Sequence, residues 1–198
     1  MKRVEYYFDV GSPYSYIGFE LIQSIAKKHQ ATLVWKPIVL STVFQETGNR
    51  SPATVPAKRK YNGMDLQRWA KHLDLPFQLH PAFPINTQNT MRLLTAVLMH
   101  QPEQFQAAIQ AVLHSLYVDH QPIDQVEGLL QVLTEAGCAQ DQLSSWLEDA
   151  QVIAQLQQHT DEAISRGVFG APTCFVADEM FWGVDHFNFV EMALAAES

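Results

Sequence analysis

Apolar and polar side chains follow two different periods in the first part of the chain. Over residues 4–10 every second side chain is strongly apolar, and this period of two is typical of a β-strand. After a break at Gly11, apolar residues recur at helical spacing over residues 14–25. Residues 31–38 are again rich in β-branched and aromatic side chains. A strand, a helix and a strand in this order predict a parallel βαβ unit.

Helical periodicity dominates the middle of the chain. Residues 41–56 are polar and contain glycine, asparagine and two prolines, so they predict a loop. Gly137 and Gly167 stand where the C-caps of helices belong. Beyond the loop, the apolar pattern predicts helices over about residues 57–73, 87–100, 102–116, 123–136, 141–150 and 152–166.

Strand character returns near the C-terminus. Residues 173–177 and 180–183 predict two short strands joined by a turn, and residues 185–196 predict a final helix. This order of elements predicts an α/β chain with a thioredoxin-like fold that carries an inserted all-helical domain. The predicted domains are the thioredoxin-like domain, residues 1–56 and 167–198, and the inserted helical domain, residues 57–166.

The charge of the chain argues against a nucleic-acid-binding protein. The 13 lysines and arginines stand against 21 acidic residues, and phosphate binding needs clustered basic side chains. No apolar run approaches the roughly 20 residues that cross a bilayer. Charged residues interrupt the N-terminal stretch, where a secretory signal would be apolar. We therefore expect a cytoplasmic protein without nucleic acid or membrane partners.

The two cysteines argue against a redox pair or a metal site. Cys138 and Cys174 lie far apart in the sequence, and no CxxC motif is present. Their spacing fits neither a disulfide framework nor a set of metal ligands. We expect two free thiols in the core, not bonded to each other and not catalytic.

Ser12 is the first candidate for chemistry. It stands at the N-cap position of the first predicted helix, and Pro13 occupies the first helical position, where its missing N–H costs nothing. A structural interpretation is therefore a simple helix cap. The functional alternative uses the same place, since a helix N-terminus favours an anion such as a thiolate, to which a hydroxyl can donate a hydrogen bond.

Two further clusters lie in the last third of the chain. Pro172 stands directly before a predicted strand, a placement that a cis Ala171–Pro172 peptide bond would explain. Asp185 is a good N-cap for the last helix. Together with His186 it could instead bind the zwitterionic end group of an amino acid.

Several short motifs are specific in combination, although each one alone is weak. They are Tyr7-Phe8-Asp9, Ser12-Pro13-Tyr14-Ser15-Tyr16, Gly48-Asn49, Tyr61, Asp65, Arg68-Trp69-Ala70, Phe83-Pro84-Ile85-Asn86-Thr87, residues 167–172 and Phe181-Trp182-Gly183. Over nearly the whole chain this pattern resembles the 2-hydroxychromene-2-carboxylate isomerases, which belong with the kappa-class glutathione transferases in the DsbA-like thioredoxin superfamily. The resemblance implies a thioredoxin fold with a helical insertion, a glutathione cofactor, a small aromatic acid as substrate and a homodimer.

The resemblance also implies roles for particular residues. Ser12 matches the serine that holds the glutathione thiolate, and Asn49 matches a residue that lines the active site. Ala171, before the match to a cis-proline at Pro172, would pair its backbone with the cysteinyl part of glutathione. Asp185 matches the acidic residue that meets the γ-glutamyl amine.

One position departs from the family pattern. His186 follows Asp185 where the family usually has arginine, and histidine lacks the permanent bidentate fork of a guanidinium group. This departure is expected to weaken the binding of the glutathione carboxylate. Lys36, Asn49 and Arg50 are candidates for binding the substrate, the two cations through its carboxylate.

The implied reaction is the cis–trans isomerisation of a ring-opened aromatic pyruvate in aromatic compound degradation. A thiolate would add to the unsaturated substrate, a single bond would rotate, and the thiol would leave. A kappa-type glutathione transferase or peroxidase is the first alternative. A DsbA-like disulfide oxidoreductase would need two redox thiols, and residues 11–14 supply none. The last alternative is a glutathione-binding module without catalysis.

Overall fold

The computed structural model describes residues 2–197, so the outer bounds of the predicted thioredoxin-like domain, Met1 and Ser198, lie outside the described residues. Four strands form one mixed sheet in the order β2-β1-β3-β4. The first two strands are parallel, and the other neighbours are antiparallel. The predicted βαβ unit and all four predicted strands are therefore confirmed. The strands are β1 (Arg3–Phe8), β2 (Thr32–Pro37), β3 (Thr173–Val176) and β4 (Glu179–Trp182).

Among the described residues, only helices and helical turns lie between β2 and β3 along the chain. All of the predicted helices are present. A π-helical turn at Ser115–Asp119 extends the fifth helix. The α-helices are α1 (Pro13–Lys28), α2 (Leu40–Thr47), α3 (Pro56–His72), α4 (Gln88–His100), α5 (Phe105–His114), α6 (Val126–Glu135), α7 (Gln140–Trp146), α8 (Ala150–Ser165) and α9 (Phe187–Ala196).

The prediction of a loop over residues 41–56 is wrong. The segment contains α2 and a short 3₁₀ turn, and α2 ends where Gly48 adopts a left-handed conformation with φ of 69°. The N-terminus of α2 has no capping side chain of its own. Instead the amide of Leu40 donates to the carboxylate of Asp9 over 2.9 Å, and the amide of Val39 donates to the hydroxyl of Thr160 over 3.1 Å. Both partners are distant in sequence, so local reasoning could not detect them.

The two faces of the sheet are covered by different helices. On one face, Tyr6 donates its hydroxyl proton to the carbonyl of Ser15 in α1 over 3.0 Å and packs against Phe187 in α9. On the other face, Tyr7 donates to Glu162 in α8 over 2.7 Å. Because neighbouring residues of a strand point to opposite faces, this alternation in β1 determines which helix lies on which side.

The helical stretch packs directly on the sheet. Phe105 in α5 contacts Trp35 of β2 and Phe8 of β1, with ring centroids 5.5 and 6.5 Å apart. One buried apolar cluster therefore runs from the sheet through the helices between β2 and β3. The helical content of residues 57–166 agrees with the prediction, whereas the division of the chain into two domains stays a prediction.

Cys138 and Cys174 are both buried and free, which confirms that they are not bonded to each other. Burial raises the pKa of each thiol. Both side chains are therefore held as neutral thiols. Among the described residues, no helix has both the length and the apolar character needed to span a membrane.

A network of charged side chains lies between the sheet and α8. Glu162 accepts hydrogen bonds from the ammonium group of Lys36 and from the hydroxyl of Tyr7, each over 2.7 Å. Arg166 donates to the Tyr7 hydroxyl over 2.9 Å and pairs with Glu5. Burial alone would raise the pKa of Glu162, but the hydrogen bonds from Lys36 and Tyr7 outweigh it and lower that pKa. Glu162 therefore carries its negative charge at neutral pH.

His159 makes stability depend on acidity. Burial, helped by the charge of Lys36, lowers the pKa of His159 from 6.5 to about 4. The unfolded chain therefore binds a proton at a higher pH than the folded chain does. Stability should fall as the pH decreases from about 6.5 to about 4, by roughly 3 kcal/mol from this residue.

The variant His159→Gln tests this expectation. Glutamine can still accept the hydrogen bond that Gln155 donates to the imidazole over 2.9 Å. Urea unfolding between pH 7 and pH 4 should show a clearly smaller loss of stability in His159→Gln than in the unchanged protein. Parallel stability curves for the two proteins would contradict the assignment.

Candidate active site

Ser12 lies where β1 has ended and α1 begins. It occupies the N-cap position of α1, is only 7% exposed, and makes no capping hydrogen bond with its side chain. Instead its Oγ donates to the carbonyl oxygen of Ala171 over 2.8 Å. The position of Ser12 agrees with the sequence prediction, but its hydroxyl does not cap the helix.

The loop before β3 lies directly against Ser12. The Ala171–Pro172 peptide bond is cis, which confirms the sequence prediction, and the hydrogen bond from Ser12 places it at the start of α1. The carbonyl of Pro172 accepts the amide of Gly183 over 3.0 Å, so the end of β4 also holds this loop. A second cis bond, Phe83–Pro84, was not expected from the sequence.

The surroundings of Ser12 suit a small anion. The first turn of α1 carries no acidic side chain, and the positive end of the helix dipole lies at this terminus. Ser15 lies one turn further along the same side of the helix. Its hydroxyl is buried and makes no hydrogen bond of good geometry within residues 2–197, although it lies close enough to the Tyr6 hydroxyl to counteract part of the rise in the Tyr6 pKa that burial causes. An unsatisfied buried donor is costly, and such groups often have a role in binding or catalysis.

Asp9 organises the turn that carries Ser12, a role that local sequence patterns did not reveal. Its buried carboxylate accepts the amide of Gly11 over 2.8 Å, the amide of Leu40 over 2.9 Å and the hydroxyl of Thr87 over 2.7 Å. Burial raises the pKa of Asp9, and these three hydrogen bonds offset that effect only in part. The sequence offered one signal of this role, namely an aspartate directly after a buried strand.

Asn49 lies beside the cis-proline loop. Its Nδ2 donates to the carbonyl of Phe169 over 2.7 Å, and its Oδ1 accepts the amide of Arg50 over 2.8 Å. The ring of Phe169 packs on Trp182 with centroids 4.8 Å apart. The structure thus brings Asn49 and the backbone of Arg50 to the same loop as Ala171.

Trp182 also explains the glycine at position 170. A Cβ atom on Gly170 would lie 2.5 Å from the indole nitrogen of Trp182, so any larger residue would displace the loop or the indole. The carbonyl of Gly170 accepts the hydroxyl of Thr173 over 2.8 Å. Both contacts hold the loop that presents Ala171 to Ser12.

Asp185 and His186 lie in a 3₁₀ turn before α9. The prediction that Asp185 caps the last helix is wrong, because α9 begins at Phe187 and the intervening turn makes His186 its N-cap residue. Their side chains are 69% and 46% exposed, with Nδ1 of the histidine 3.4 Å from Oδ1 of the aspartate. Both polar groups are therefore open to a ligand.

Tyr14 lies in the first turn of α1 and contacts α3. Its hydroxyl donates to Asp65 in α3 over 2.8 Å. Burial, this hydrogen bond and the neighbouring charges of Asp65 and Asp185 raise the pKa of Tyr14.

Lys36 is the candidate that the structure does not bring to Ser12. It pairs in β2 with Tyr7, on the face of the sheet opposite to α1. Its side chain is 13% exposed, and its charge is paired with Glu162. A role of Lys36 in binding a substrate carboxylate has no geometric support. Among residues 2–197 no group of three or more histidine, cysteine or acidic side chains could hold a metal ion.

Comparisons with known proteins show the family to which the chain belongs. Residues 3–195 match the family model of the DsbA-like thioredoxin domain. The chain is 29% identical to a 2-hydroxychromene-2-carboxylate isomerase of Sphingobium xenophagum, over 98% of both chains. It is also 29% identical to glutathione S-transferase kappa 1 of Caenorhabditis elegans, over 96% of this chain and 89% of that protein.

One solved structure is also similar to this chain over nearly its whole length. The structure of a 2-hydroxychromene-2-carboxylate isomerase superimposes with a TM-score of 0.87 at 28% identity, covering 98% of this chain and 94% of that one. The predicted resemblance and the predicted fold class are confirmed by these matches.

Proposed function

The chain belongs to the DsbA-like thioredoxin family, and on that premise we propose that it is a glutathione-dependent enzyme of the isomerase and kappa-transferase type. The observation that carries the proposal is the hydrogen bond of 2.8 Å from Ser12 Oγ to the carbonyl of Ala171. It joins the N-terminus of α1 to the cis-proline loop. The Ser12 hydroxyl stands there, in a place that favours an anion.

The residues present fit glutathione. The hydroxyl of Ser12 has one proton, which can turn from the Ala171 carbonyl to an anionic sulfur when one is bound. The buried hydroxyl of Ser15 is a second candidate donor, one turn further along α1. The backbone of Ala171, next to the cis bond, offers a partner for a peptide-like ligand, while Asp185 and His186 offer exposed groups to its charged end. Asn49 fixes the loop through Phe169. When bound, glutathione would supply the nucleophilic thiol.

The task of Ser12 is to favour the ionised form of that thiol. A free thiol with a pKa of about 8.5 is mostly protonated at neutral pH. A hydrogen bond donated to the charged form lowers such a pKa, and so does the positive end of a helix. Ser12 therefore increases the fraction of reactive thiolate at the N-terminus of α1.

Two relatives that are named 2-hydroxychromene-2-carboxylate isomerase support isomerisation of an acid of that type as the specific reaction. Transfer of glutathione to an electrophile, or peroxidase activity, is the second candidate, favoured by the kappa-class relatives. Disulfide exchange has no support, because positions 12 and 15 are serines and burial raises the pKa of both cysteines. We also propose that Arg50, next to Asn49, binds the substrate carboxylate.

An assay with both substrate classes tests the proposal. Turnover of 2-hydroxychromene-2-carboxylate should require added glutathione and should exceed turnover of a standard transferase substrate. The opposite ranking would favour the transferase. Binding of glutathione without turnover of either substrate would favour a binding module, and absence of binding would refute the proposal.

We extend the proposal to a homodimer that acts in the cytoplasm on aromatic breakdown products. Size-exclusion chromatography with light scattering should give about twice the chain mass of 22.4 kDa. A monomer that retains full glutathione-dependent turnover would refute the dimer and leave the reaction unaffected.

Replacing Ser15 separates stability from function. In the unliganded protein Ser15→Ala removes a buried hydroxyl that makes no hydrogen bond of good geometry, so the free energy of unfolding should change little. If this hydroxyl donates to the thiolate, turnover should fall by roughly tenfold, the value of one hydrogen bond to a charged group. Unchanged turnover would show that Ser15 has no part in the site.

A further inference from the structure

Four polar contacts from outside hold the residues that precede Ser12. We call Asp9, Val10, Gly11 and Ser12 the Ser12 turn, which is closed by a hydrogen bond of 2.9 Å from the amide of Ser12 to the carbonyl of Asp9. Leu40, at the start of α2, gives the first outside contact, through its amide on Asp9. The other three come from the helical stretch between α3 and α6.

Tyr117 makes the contact closest to Ser12. Its hydroxyl donates to the carbonyl oxygen of Val10 over 2.8 Å, and both residues are completely buried. The tyrosine lies in the π-helical turn that follows α5, and such turns are frequent at functional sites. Because Val10 is completely buried, its carbonyl has no direct access to solvent and takes its hydrogen bond from Tyr117.

Two residues at the start of α4 hold the same turn. Thr87 is the N-cap residue of α4, but its hydroxyl makes no capping bond and donates to Asp9 instead. The sulfur of Met91 accepts the amide of Val10 over 3.5 Å. The turn is closely packed at Gly11, because a Cβ atom there would lie 3.2 Å from both Asp9 and Thr87.

We propose that Tyr117 and Thr87 are positioning residues, through which the helical insertion fixes the Ser12 turn and thereby the acidity of a thiol held at the N-terminus of α1. The inference rests on the proposed function in assigning an anion to this terminus. A helix terminus stabilises an anion only over the first turn, so a small displacement of position 12 weakens the effect.

The matched control is Tyr16, which belongs to the same aromatic cluster. Its ring lies 5.2 Å from that of Tyr117, and its hydroxyl also donates to a backbone carbonyl, that of Pro76, over 2.6 Å. Pro76 is outside the Ser12 turn. Tyr117→Phe and Tyr16→Phe therefore remove equivalent groups, of which only the first holds the turn.

The experiment places a thiol at position 12 and needs no ligand. Ser12→Cys is combined with Tyr117→Phe, Thr87→Val or Tyr16→Phe, and the pKa of the introduced thiol is measured from its ultraviolet thiolate absorbance. Burial raises the pKa of Cys138 and Cys174, so these thiols contribute little below neutral pH. We expect Tyr117→Phe and Thr87→Val each to raise the pKa of the introduced thiol by about 0.5 to 1 unit.

The control variant Tyr16→Phe should leave that pKa unchanged. Equal values in all four proteins, or an equal rise with Tyr16→Phe, would overturn the inference. If Tyr117→Phe does not fold, Thr87→Val against Tyr16→Phe decides the question. Glutathione binding to the unchanged protein is measured separately by calorimetry, so that its absence refutes the proposed function without altering the comparison at position 12.

Discussion

Ser12→Ala should lose most of its turnover while keeping most of its stability. The hydroxyl makes no capping bond, so the folded protein loses only the hydrogen bond to Ala171, worth about 1 kcal/mol. A hydrogen bond to a charged group is worth roughly 1.5–3 kcal/mol. If it is fully lost in the transition state, the rate falls by about one to two decades.

The pKa of bound glutathione gives the sharper measurement. Without the donor at position 12, the thiol should titrate closer to its free value, because the charged form has lost a hydrogen bond. The ultraviolet thiolate absorbance of the bound ligand against pH compares Ser12→Ala with the unchanged protein. Ser145→Ala is the matched control, since Ser145 also donates to a backbone carbonyl, over 2.7 Å, but in an exposed part of α7.

Two outcomes would remove Ser12 from the mechanism. Identical titration curves, with glutathione bound in both proteins, would leave only a structural hydrogen bond. An equal loss of turnover in Ser145→Ala would show that the effect comes from stability. The expected result is a large loss of turnover in Ser12→Ala with only the small decrease in stability, about 1 kcal/mol, that the lost hydrogen bond to Ala171 causes.

Asp9→Ala should cost more stability than any other single change near the site. It leaves three donors without their acceptor: the part-buried amides of Gly11 and Leu40 and the buried hydroxyl of Thr87. Each such donor costs about 1–3 kcal/mol, while relief of the buried charge returns part of the loss. The net decrease in the free energy of unfolding should be about 3–5 kcal/mol.

Urea unfolding at pH 7 measures this effect against two reference variants. Thr87→Val removes one donor and should cost about 1 kcal/mol. Asp149→Ala removes a carboxylate that accepts an amide at the surface start of α8, over 2.7 Å, and should cost about 0.5–2 kcal/mol. If Asp9→Ala does not fold, Asp9→Asn still presents an amide donor to Leu40 and should also be destabilised.

A cost for Asp9→Ala no greater than that for Asp149→Ala would contradict this role. It would mean that the turn before Ser12 does not depend on the buried carboxylate. The positions of α2 and α4 relative to that turn would then need another cause.

Local patterns in the sequence were sufficient for most of the secondary structure. The period of two in β1, the apolar spacing of α1 and the helices from α3 to α8 depend on residues close together in the chain. The same is true of the serine and proline at the start of α1, because capping positions have local preferences. The fold class and the candidate position of Ser12 could therefore be predicted from the order of residues alone.

Contacts between distant residues determined the rest. The start of α2 depends on Asp9 and Thr160, so residues 41–56 looked like a loop. Lys36 could not be assigned to the far face of the sheet without its partner Glu162 in α8. Nor could the sequence show that the hydroxyls of Ser12 and Thr87 turn away from their own helices.

The turn before Ser12 illustrates the physical reason. Its polar groups are buried, and a buried polar group must find a partner wherever the folded chain provides one. For the Val10 carbonyl that partner is Tyr117, a residue 107 positions later in the chain. The sequence alone specified which residues stand at the start of α1, and the packing of the helices between β2 and β3 determined which groups their buried polar atoms contact.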